Sequence, residues 1–213
     1  MCDICRRIHD ITNSGKRYSF NTGFIGLPSN GVYIMFERGE LAHGTDRIVR
    51  IGTHTGENQL PSRINQHFLK ENKNRSIFRK NVGRCFLNGH KYAERWEYDI
   101  TSREARIKLL PLLDLVFEKQ IEAQISHYIQ NNLSFIVIPV NEKSKRLQLE
   151  SQLIGTVSLC RECRPSIEWL GLKSPLVKIK QSGLWQVQRL YGNSLSNTDV
   201  DFIERMIVSD TRC

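Results

Sequence analysis

The sequence lacks any long hydrophobic run. None of its apolar stretches approaches the roughly 20 residues that a membrane-spanning helix needs. The first ten residues, MCDICRRIHD, contain no apolar segment of the kind found in secretory signals. Internal repeats and low-complexity tracts are also missing. These absences argue against a membrane-spanning protein and against a repeat architecture, and they lead us to expect a cytoplasmic protein.

Acidic residues are few relative to basic ones. The chain has 31 Lys and Arg against 22 Asp and Glu, which gives a formal net charge of +9. A basic surface favours a polyanionic partner, because neutralising phosphates releases counterions and supplies affinity that does not depend on sequence. Charge alone leaves two readings open, a nucleic-acid-binding protein and a merely basic soluble one. The length of 213 residues and 39% hydrophobic content fit one globular domain with a substantial core.

Three short apolar runs predict β-strands. They are GVYIMF beginning at Gly31, DRIVRIG ending at Gly52, and SFIVIP beginning at Ser134. The first two are predicted to form an antiparallel hairpin with a long loop. The third is apolar enough for the centre of a sheet. The segment SGLWQVQ, residues 182–188, is a candidate for a further short strand.

Apolar residues at helical spacing predict the other elements. The predicted helices cover residues 61–68, 76–87, 112–132, 142–160 and 198–208. Their buried positions are expected to include Val116, Ile121, Ile125 and Ile129 in one helix and Leu149, Leu153 and Val157 in another. The fold class is therefore predicted as α+β, a small central antiparallel three-stranded sheet flanked by helices.

Five chemically versatile side chains occur in a definite order along these elements. They are Tyr33 in GVY on the first strand, Arg50 in RIG on the second, Arg63 and His67 on the next helix, and Glu150 in LESQLIG on a later helix. This order resembles the GIY-YIG endonuclease family, in which the two tripeptides correspond to the two signatures of the family. The R-x-x-x-H spacing is most similar to that of restriction enzymes within the family.

The resemblance covers roughly residues 30–175 and implies a GIY-YIG fold for them. It implies a nuclease domain over residues 30–175, an N-terminal extension over 1–29 that carries a Cys-x-x-Cys pair, and a C-terminal extension over 176–213 packed on the same domain.

The resemblance also implies a catalytic role for each of the five residues. Glu150 matches the metal-binding glutamate, and it would hold Mg²⁺ or Mn²⁺ against the scissile phosphate. Tyr33 would accept a proton from the attacking water, helped by the positive charge of Arg50 and Arg63, which would also hold the phosphate. His67 lies one helical turn from Arg63, so it would hold a phosphate or relay a proton. Each residue taken alone also fits an ordinary structural role.

Two positions depart from the pattern of the family. Arg50 stands where the family has its second tyrosine, although some restriction members carry a basic residue there. The stretch RPSIEWLG offers Glu168 where the family often has an asparagine. Both departures leave open a weakened nuclease or a non-catalytic DNA-binding subunit that retains the fold.

The first functional expectation is a Mg²⁺-dependent endonuclease that cuts double-stranded DNA in restriction or defence. A nuclease for DNA repair or branched DNA is the alternative within the same class. One active site per chain would favour a homodimer for cutting both strands.

Basic residues follow the helix of Arg63 and are candidates for contacts with the DNA backbone. They are Lys70, Lys73, Arg75, Arg79, Lys80 and Arg84. For any one of them, a solvated helix face is the competing interpretation. No recognition-helix motif of a known type is visible in the sequence.

Six cysteines without a leader segment argue against a disulfide framework. Four of them form two Cys-x-x-Cys pairs, Cys2 with Cys5 and Cys160 with Cys163. Four thiolates suit a structural Zn²⁺ ion, and His9 is a substitute ligand. Since the pairs lie far apart along the chain, the fold would have to bring them together. Reduced, unpaired thiols or a redox pair in each motif are the alternatives.

Overall fold

A computed structural model describes residues 2–210, without the side chains of residues 209 and 210. Met1 and residues 211–213, at the outer ends of the two predicted extensions, lie outside this range. Strands β1 (Tyr18–Ser19), β2 (Gly31–Ala42), β3 (Thr45–Gly52) and β4 (Leu133–Pro139) form one antiparallel sheet in the order β1-β4-β2-β3. The predicted α+β class is confirmed. The sheet has a fourth strand that was not predicted, because two residues are too few to show an alternating pattern.

Helices cover both faces of this sheet. Their bounds are α1 Cys2–Asn13, α2 Leu60–Phe68, α3 Ile77–Phe86, α4 Ala93–Trp96, α5 Arg103–Leu109, α6 Leu115–Asn132, α7 Lys143–Leu159, α8 Val177–Ser182 and α9 Asn197–Asp210, with 3₁₀ turns at Leu110–Leu112 and Leu170–Lys173. None of the helices among the described residues has the length and apolarity to cross a membrane.

The two faces of the sheet bury separate hydrophobic clusters. Ile34 and Ile136 face the layer of α1, α7 and α9. Met35 and Phe135 face the layer of α2, α3 and α6. Because β2 and β4 are covered on both sides, their sequences read as nearly continuous apolar runs rather than as an alternation.

The hairpin of β2 and β3 turns more tightly than predicted. Its loop is the dipeptide His43–Gly44, and both residues have positive φ angles, 54° and 83°. Such turns match the twist of the flanking strands. The predicted long loop is wrong because the polar segment after Phe36 continues the strand, with Glu37 and Glu40 buried in ion pairs or hydrogen bonds.

Two other expectations for local structure differ from the result. The segment 182–188 forms no strand, because it meets the edge of β3 through single contacts rather than a ladder. The amide of Trp185 donates to the carbonyl oxygen of Val49 at 2.8 Å, and the side chain of Gln186 accepts from the amide of Ile51. Val116 is 71% exposed in the first turn of α6, whereas the other predicted core positions of α6 and α7 are buried.

Buried ion pairs join α3 and the loop before it to α6. Arg79 is fully buried and donates to a carboxylate oxygen of Glu122 through Nε at 2.9 Å and Nη2 at 2.7 Å. Lys73 Nζ lies 2.6 Å from Glu118. Removing one member of such a pair leaves an uncompensated charge in the interior, which costs more than the pair itself contributes.

We therefore expect Glu122→Gln to lower the free energy of unfolding by about 3 kcal/mol or more. Urea denaturation would measure the change. The matched control is Asp201→Asn, which removes the exposed partner of Arg7 and should cost less than about 1 kcal/mol. Equal losses in the two variants would show that the Arg79 pair is not structurally important.

Candidate active site

A cleft of about 330 Å³ opens where β2, β3, α2 and α7 meet the segment 185–189. Four of the five predicted catalytic residues line it, namely Tyr33, Arg50, Arg63 and Glu150. The fifth, His67, lies behind Tyr33 and does not line the cleft.

Strand pairing places Tyr33 and Arg50 side by side. The register pairs Tyr33 with Gly52 and Met35 with Arg50, so both side chains belong to the same face of the sheet. A Cβ atom at Gly52 would lie 2.2 Å from the phenol oxygen of Tyr33. The glycine of the RIG tripeptide is therefore required because the phenol occupies the space above it.

His67 holds the phenol from behind. Its Nε2 atom lies 2.9 Å from the hydroxyl of Tyr33, and its Nδ1 atom lies 2.8 Å from Oγ of Ser76, which caps α3. Burial, and then the charges of Arg50, Arg63 and Arg79, hold the pKa of His67 well below its usual value. The lowered pKa favours the neutral imidazole, and the side chain has no exposed surface, so the expectation that it contacts a phosphate directly is wrong.

Arg50 is a buried cation with unused hydrogen-bonding capacity. It is 5% exposed, donates through Nη1 to the carbonyl oxygen of Trp185, and lies over the ring of Phe78. Its Nε has no hydrogen-bond partner among the described residues. A buried donor without a partner costs about 1–3 kcal/mol, which an anionic ligand in the cleft could offset.

Arg63 lines the cleft from α2. Its Nη1 donates to Oε1 of Gln66 at 3.1 Å and to the carbonyl oxygen of Arg75 at 3.2 Å. These contacts hold the guanidinium between α2 and the loop before α3, with its charge at the cleft.

Glu150 closes the cleft from α7. Its Oε1 accepts a hydrogen bond from the amide of Thr53 at 3.1 Å, and its Oε2 lies 2.8 Å from Nη1 of Arg189. Burial raises the pKa of this carboxyl, and the charges of Arg189 and Arg50 oppose the rise. A single carboxylate lining the cleft fits Mg²⁺, which keeps several waters and shares the oxygens of a phosphate substrate.

Two residues at the site were not among the predicted catalytic residues. Arg189 reaches Glu150 from the C-terminal segment with a positive φ of 61°, and a contact across that distance leaves no local pattern. His54 also lines the cleft, but its Nδ1 lies 2.7 Å from the carbonyl oxygen of Gly56 and its Nε2 accepts from the amide of Gly31. Its ring thus anchors the turn that follows β3.

Only some of the predicted DNA contacts lie on the surface. Lys70 and Arg75 are exposed, and Lys80 and Arg84 are partly exposed and paired with Glu97. Lys73 and Arg79 are corrected to structural residues, because both are buried against carboxylates of α6. The sequence does not reveal which lysine or arginine will meet such a carboxylate.

Glu168 does not take part in the site. The residue is exposed and lies outside the lining of the cleft, so it does not replace the asparagine of the family within this site.

A second cluster of chemically active side chains lies on the layer of α1 and α7. The ligand atoms of Cys5, His43, Cys160 and Cys163 all lie within 4.8 Å of one another, close enough to hold a metal ion. The two Cys-x-x-Cys pairs thus converge as the sequence suggested. The predicted set is corrected at one position, because His43 joins the group and Cys2 does not.

Comparison with known families agrees with this architecture. A family model described as a GIY-YIG domain matches residues 2–212. The chain therefore belongs to the GIY-YIG family, and this membership supports a nuclease, a hydrolase of phosphodiester bonds, as its class. The match includes nearly all of the predicted N-terminal and C-terminal extensions, residues 1–29 and 176–213. No curated protein and no solved structure gave a match.

The buried state of His67 predicts a pH dependence of stability. Its pKa is depressed in the folded chain, so below about pH 6.5 the unfolded chain binds a proton that the folded chain does not. Stability should then fall with falling pH, by at most about 1.4 kcal/mol per pH unit from this group. His67→Gln should have a smaller decline between pH 7.5 and 5.5 in urea denaturation.

Ser76→Ala is the control for this measurement. It removes a partner of the imidazole but keeps the imidazole itself, so it should destabilise the chain while keeping the wild-type slope. Equal slopes in wild type and His67→Gln would contradict the assignment of a neutral His67.

Proposed function

We propose that the protein is a metal-dependent endonuclease that hydrolyses DNA phosphodiester bonds in this cleft. One observation carries the proposal: a phenol, two guanidiniums and a carboxylate, from Tyr33, Arg50, Arg63 and Glu150, line one cleft. Phosphodiester hydrolysis needs a positioned water, stabilisation of charge on the phosphoryl oxygens and stabilisation of the leaving oxygen. These residue types can supply those requirements.

Arg50 and Arg63 are the residues that would hold the scissile phosphate. Both line the cleft, and Arg50 retains an unpaired Nε. A second polar depression of about 300 Å³ is bounded by Arg63 together with Ser62 and Gln66. It shares Thr53 and Arg63 with the first cleft and offers space for a nucleotide next to the cleavage point.

Tyr33 is the residue that would position the attacking water. When its hydroxyl donates to Nε2 of the neutral His67, the lone pairs of the phenol oxygen remain available to accept a hydrogen bond from water. In that tautomer the Nδ1 proton of His67 donates to Oγ of Ser76. His67 then acts as a positioning residue, since its burial, and then the nearby arginines, disfavour its protonation.

Glu150 is the residue that would hold Mg²⁺, or Mn²⁺, in this cleft. The ion, when bound, supplies Lewis-acid stabilisation of the phosphoryl and leaving oxygens. The amide of Thr53 orients the carboxylate through Oε1, and Arg189 is paired with Oε2. That pairing is the observation that favours the second candidate function, a DNA-binding subunit without turnover, because Arg189 occupies one oxygen of the ligand.

The substrate proposal is double-stranded DNA. The formal charge is +9, and the backbone carbonyl of the exposed Arg75 accepts a hydrogen bond from Arg63 at the cleft. Lys70 is exposed on the same stretch. The restriction or defence role rests on the R-x-x-x-H spacing and on Arg50 in the second signature. This role, cutting by a homodimer and a cytoplasmic location all remain predictions.

We expect Glu150→Ala and Tyr33→Phe to lower the cleavage rate about 100-fold or more, since each removes a group that acts on the reacting atoms. The assay incubates the protein with plasmid and with branched DNA, in Mg²⁺ or in EDTA. The matched control is Glu168→Ala, which removes an exposed glutamate outside the cleft and should cut at the wild-type rate.

Three outcomes of this assay decide between the candidates. Cutting at a near-normal rate by folded Glu150→Ala would refute the metal-ligand role. Cutting by the wild type in EDTA would refute metal dependence. DNA binding by the wild type without cutting of either substrate would favour the non-catalytic subunit.

Arg75→Ala should weaken DNA binding by a similar factor for unrelated sequences, because a backbone contact carries no sequence information. The slope of log affinity against log salt should decrease by about 0.9 for one lost phosphate contact. The control is Arg7→Ala, which removes a partly exposed arginine on α1, the helix that packs on the opposite face of the sheet from α2. An identical salt dependence for the two variants would remove Arg75 from the interface.

A further inference from the structure

The cluster of three cysteines and one histidine lies outside the cleft and has no part in the proposed hydrolysis. Cys5 belongs to α1, His43 to the turn between β2 and β3, and Cys160 and Cys163 to the segment directly after α7. Three distant parts of the chain thus bring three thiol sulfur atoms and one imidazole nitrogen close together. All of these cysteines are free thiols.

The spacing of the donor atoms is that of a tetrahedral metal site. Sγ of Cys163 lies 3.4 Å from Sγ of Cys5 and 3.2 Å from Nε2 of His43, and Sγ of Cys160 lies 3.5 Å from the same nitrogen. Zn–S bonds of about 2.3 Å place tetrahedral sulfur atoms about 3.8 Å apart, and sulfur–nitrogen separations are slightly shorter. Small adjustments of the side chains would seat the ion.

We propose that Cys5, His43, Cys160 and Cys163 bind one structural Zn²⁺ ion as a closed Cys₃His site. Three thiolates with one imidazole are a soft, tetrahedral donor set, which selects zinc over the hard cations Mg²⁺ and Ca²⁺. Four protein ligands leave no open position for a water or a substrate, so the role of this ion is structural.

The surroundings of His43 support its assignment as a ligand. Its side chain is fully buried, although it stands in a hairpin turn with positive φ. Its second ring nitrogen, Nδ1, lies 3.1 Å from Oε2 of Glu162, a residue between the two cysteines of the second pair, although the two atoms lack hydrogen-bonding geometry. Histidines that bind metals commonly direct the other nitrogen to a carboxylate, which orients the ring.

The neighbouring candidates are less suited to the site. Both ring nitrogens of His9 are engaged by the backbone, because Nδ1 lies 2.9 Å from the carbonyl oxygen of Cys5 and Nε2 accepts from the amide of Ile48. Cys2 approaches Cys160 at 3.9 Å but lies outside the four-atom group. The ligand set is therefore different from the four cysteines that the sequence suggested.

The ion would fasten α1 and the hairpin turn to the end of α7. Because α7 also carries Glu150, the site would stabilise the helix that delivers a carboxylate to the cleft. The proposal does not depend on nuclease activity, since the metal content is measured on the protein itself.

The test is elemental analysis of protein purified without a chelator, together with the visible spectrum of Co²⁺ added to the metal-free chain. We expect about one equivalent of zinc in the wild type, and a Co²⁺ spectrum typical of tetrahedral thiolate coordination. Cys163→Ser and His43→Ala should each lose the zinc. Two matched controls, Cys2→Ser and Cys85→Ser, should retain the zinc, because neither thiol belongs to the group of four ligands. Cys85 is a buried free thiol, like the ligand cysteines.

A chelator adds a second measurement, the unfolding temperature with and without EDTA. EDTA should lower the unfolding temperature of wild type and Cys85→Ser, because the bound ion stabilises only the folded chain. Less than about half an equivalent of zinc in the wild type, with no Co²⁺ spectrum, would overturn the proposal. Zinc retained by His43→Ala but lost from Cys2→Ser would overturn the assigned ligand set.

Discussion

The pairing of β2 with β3 is the constraint on which the other features depend. It places Tyr33 opposite Gly52 and Arg50 opposite Met35, on the face covered by α2 and α3. A slip of one residue in either strand would move its side chains to the other face. The two-residue turn at one end and the pairing of β4 with Gly31–Glu37 of β2 fix the register.

Two buried acids of β2, Glu37 and Glu40, determine where the C-terminal segment lies. Glu37 accepts hydrogen bonds from the indole nitrogens of Trp169 and Trp185 at 3.0 and 2.9 Å. Glu40 is paired with the buried Arg47, whose Nη2 lies 2.6 Å away. Burial makes such contacts obligatory, because an unpaired charge in the interior is costly. They bring the chain past the cleft, where Arg189 reaches Glu150.

The same hairpin connects the cleft with the cysteine cluster. Its open end carries Tyr33 and Gly52, and its turn carries His43. The helix α7 has a similar double role, with Glu150 in its body and Cys160 at its end. Two chemically different centres are thus built on the same pair of elements, the β2–β3 hairpin and α7.

The sequence by itself determined the main elements and the order of the chemical groups. Continuous apolar runs identified β2, β3 and β4, and helical spacing identified α2, α3, α6 and α7, because burial on a covered sheet or helix face imposes those periods. The order of the two tripeptides, Arg63 and Glu150 along these elements resembled the GIY-YIG family, and this resemblance identified Tyr33, Arg50, Arg63 and Glu150 as the candidates that line the cleft. Contacts between distant segments were decided only by the tertiary structure. It buried Lys73 and Arg79 against α6, placed His67 behind the phenol rather than in the cleft, and put His43 into the cysteine cluster in place of Cys2. No local pattern encodes these outcomes, because each depends on which charge, ring or thiol the packed layers bring opposite another.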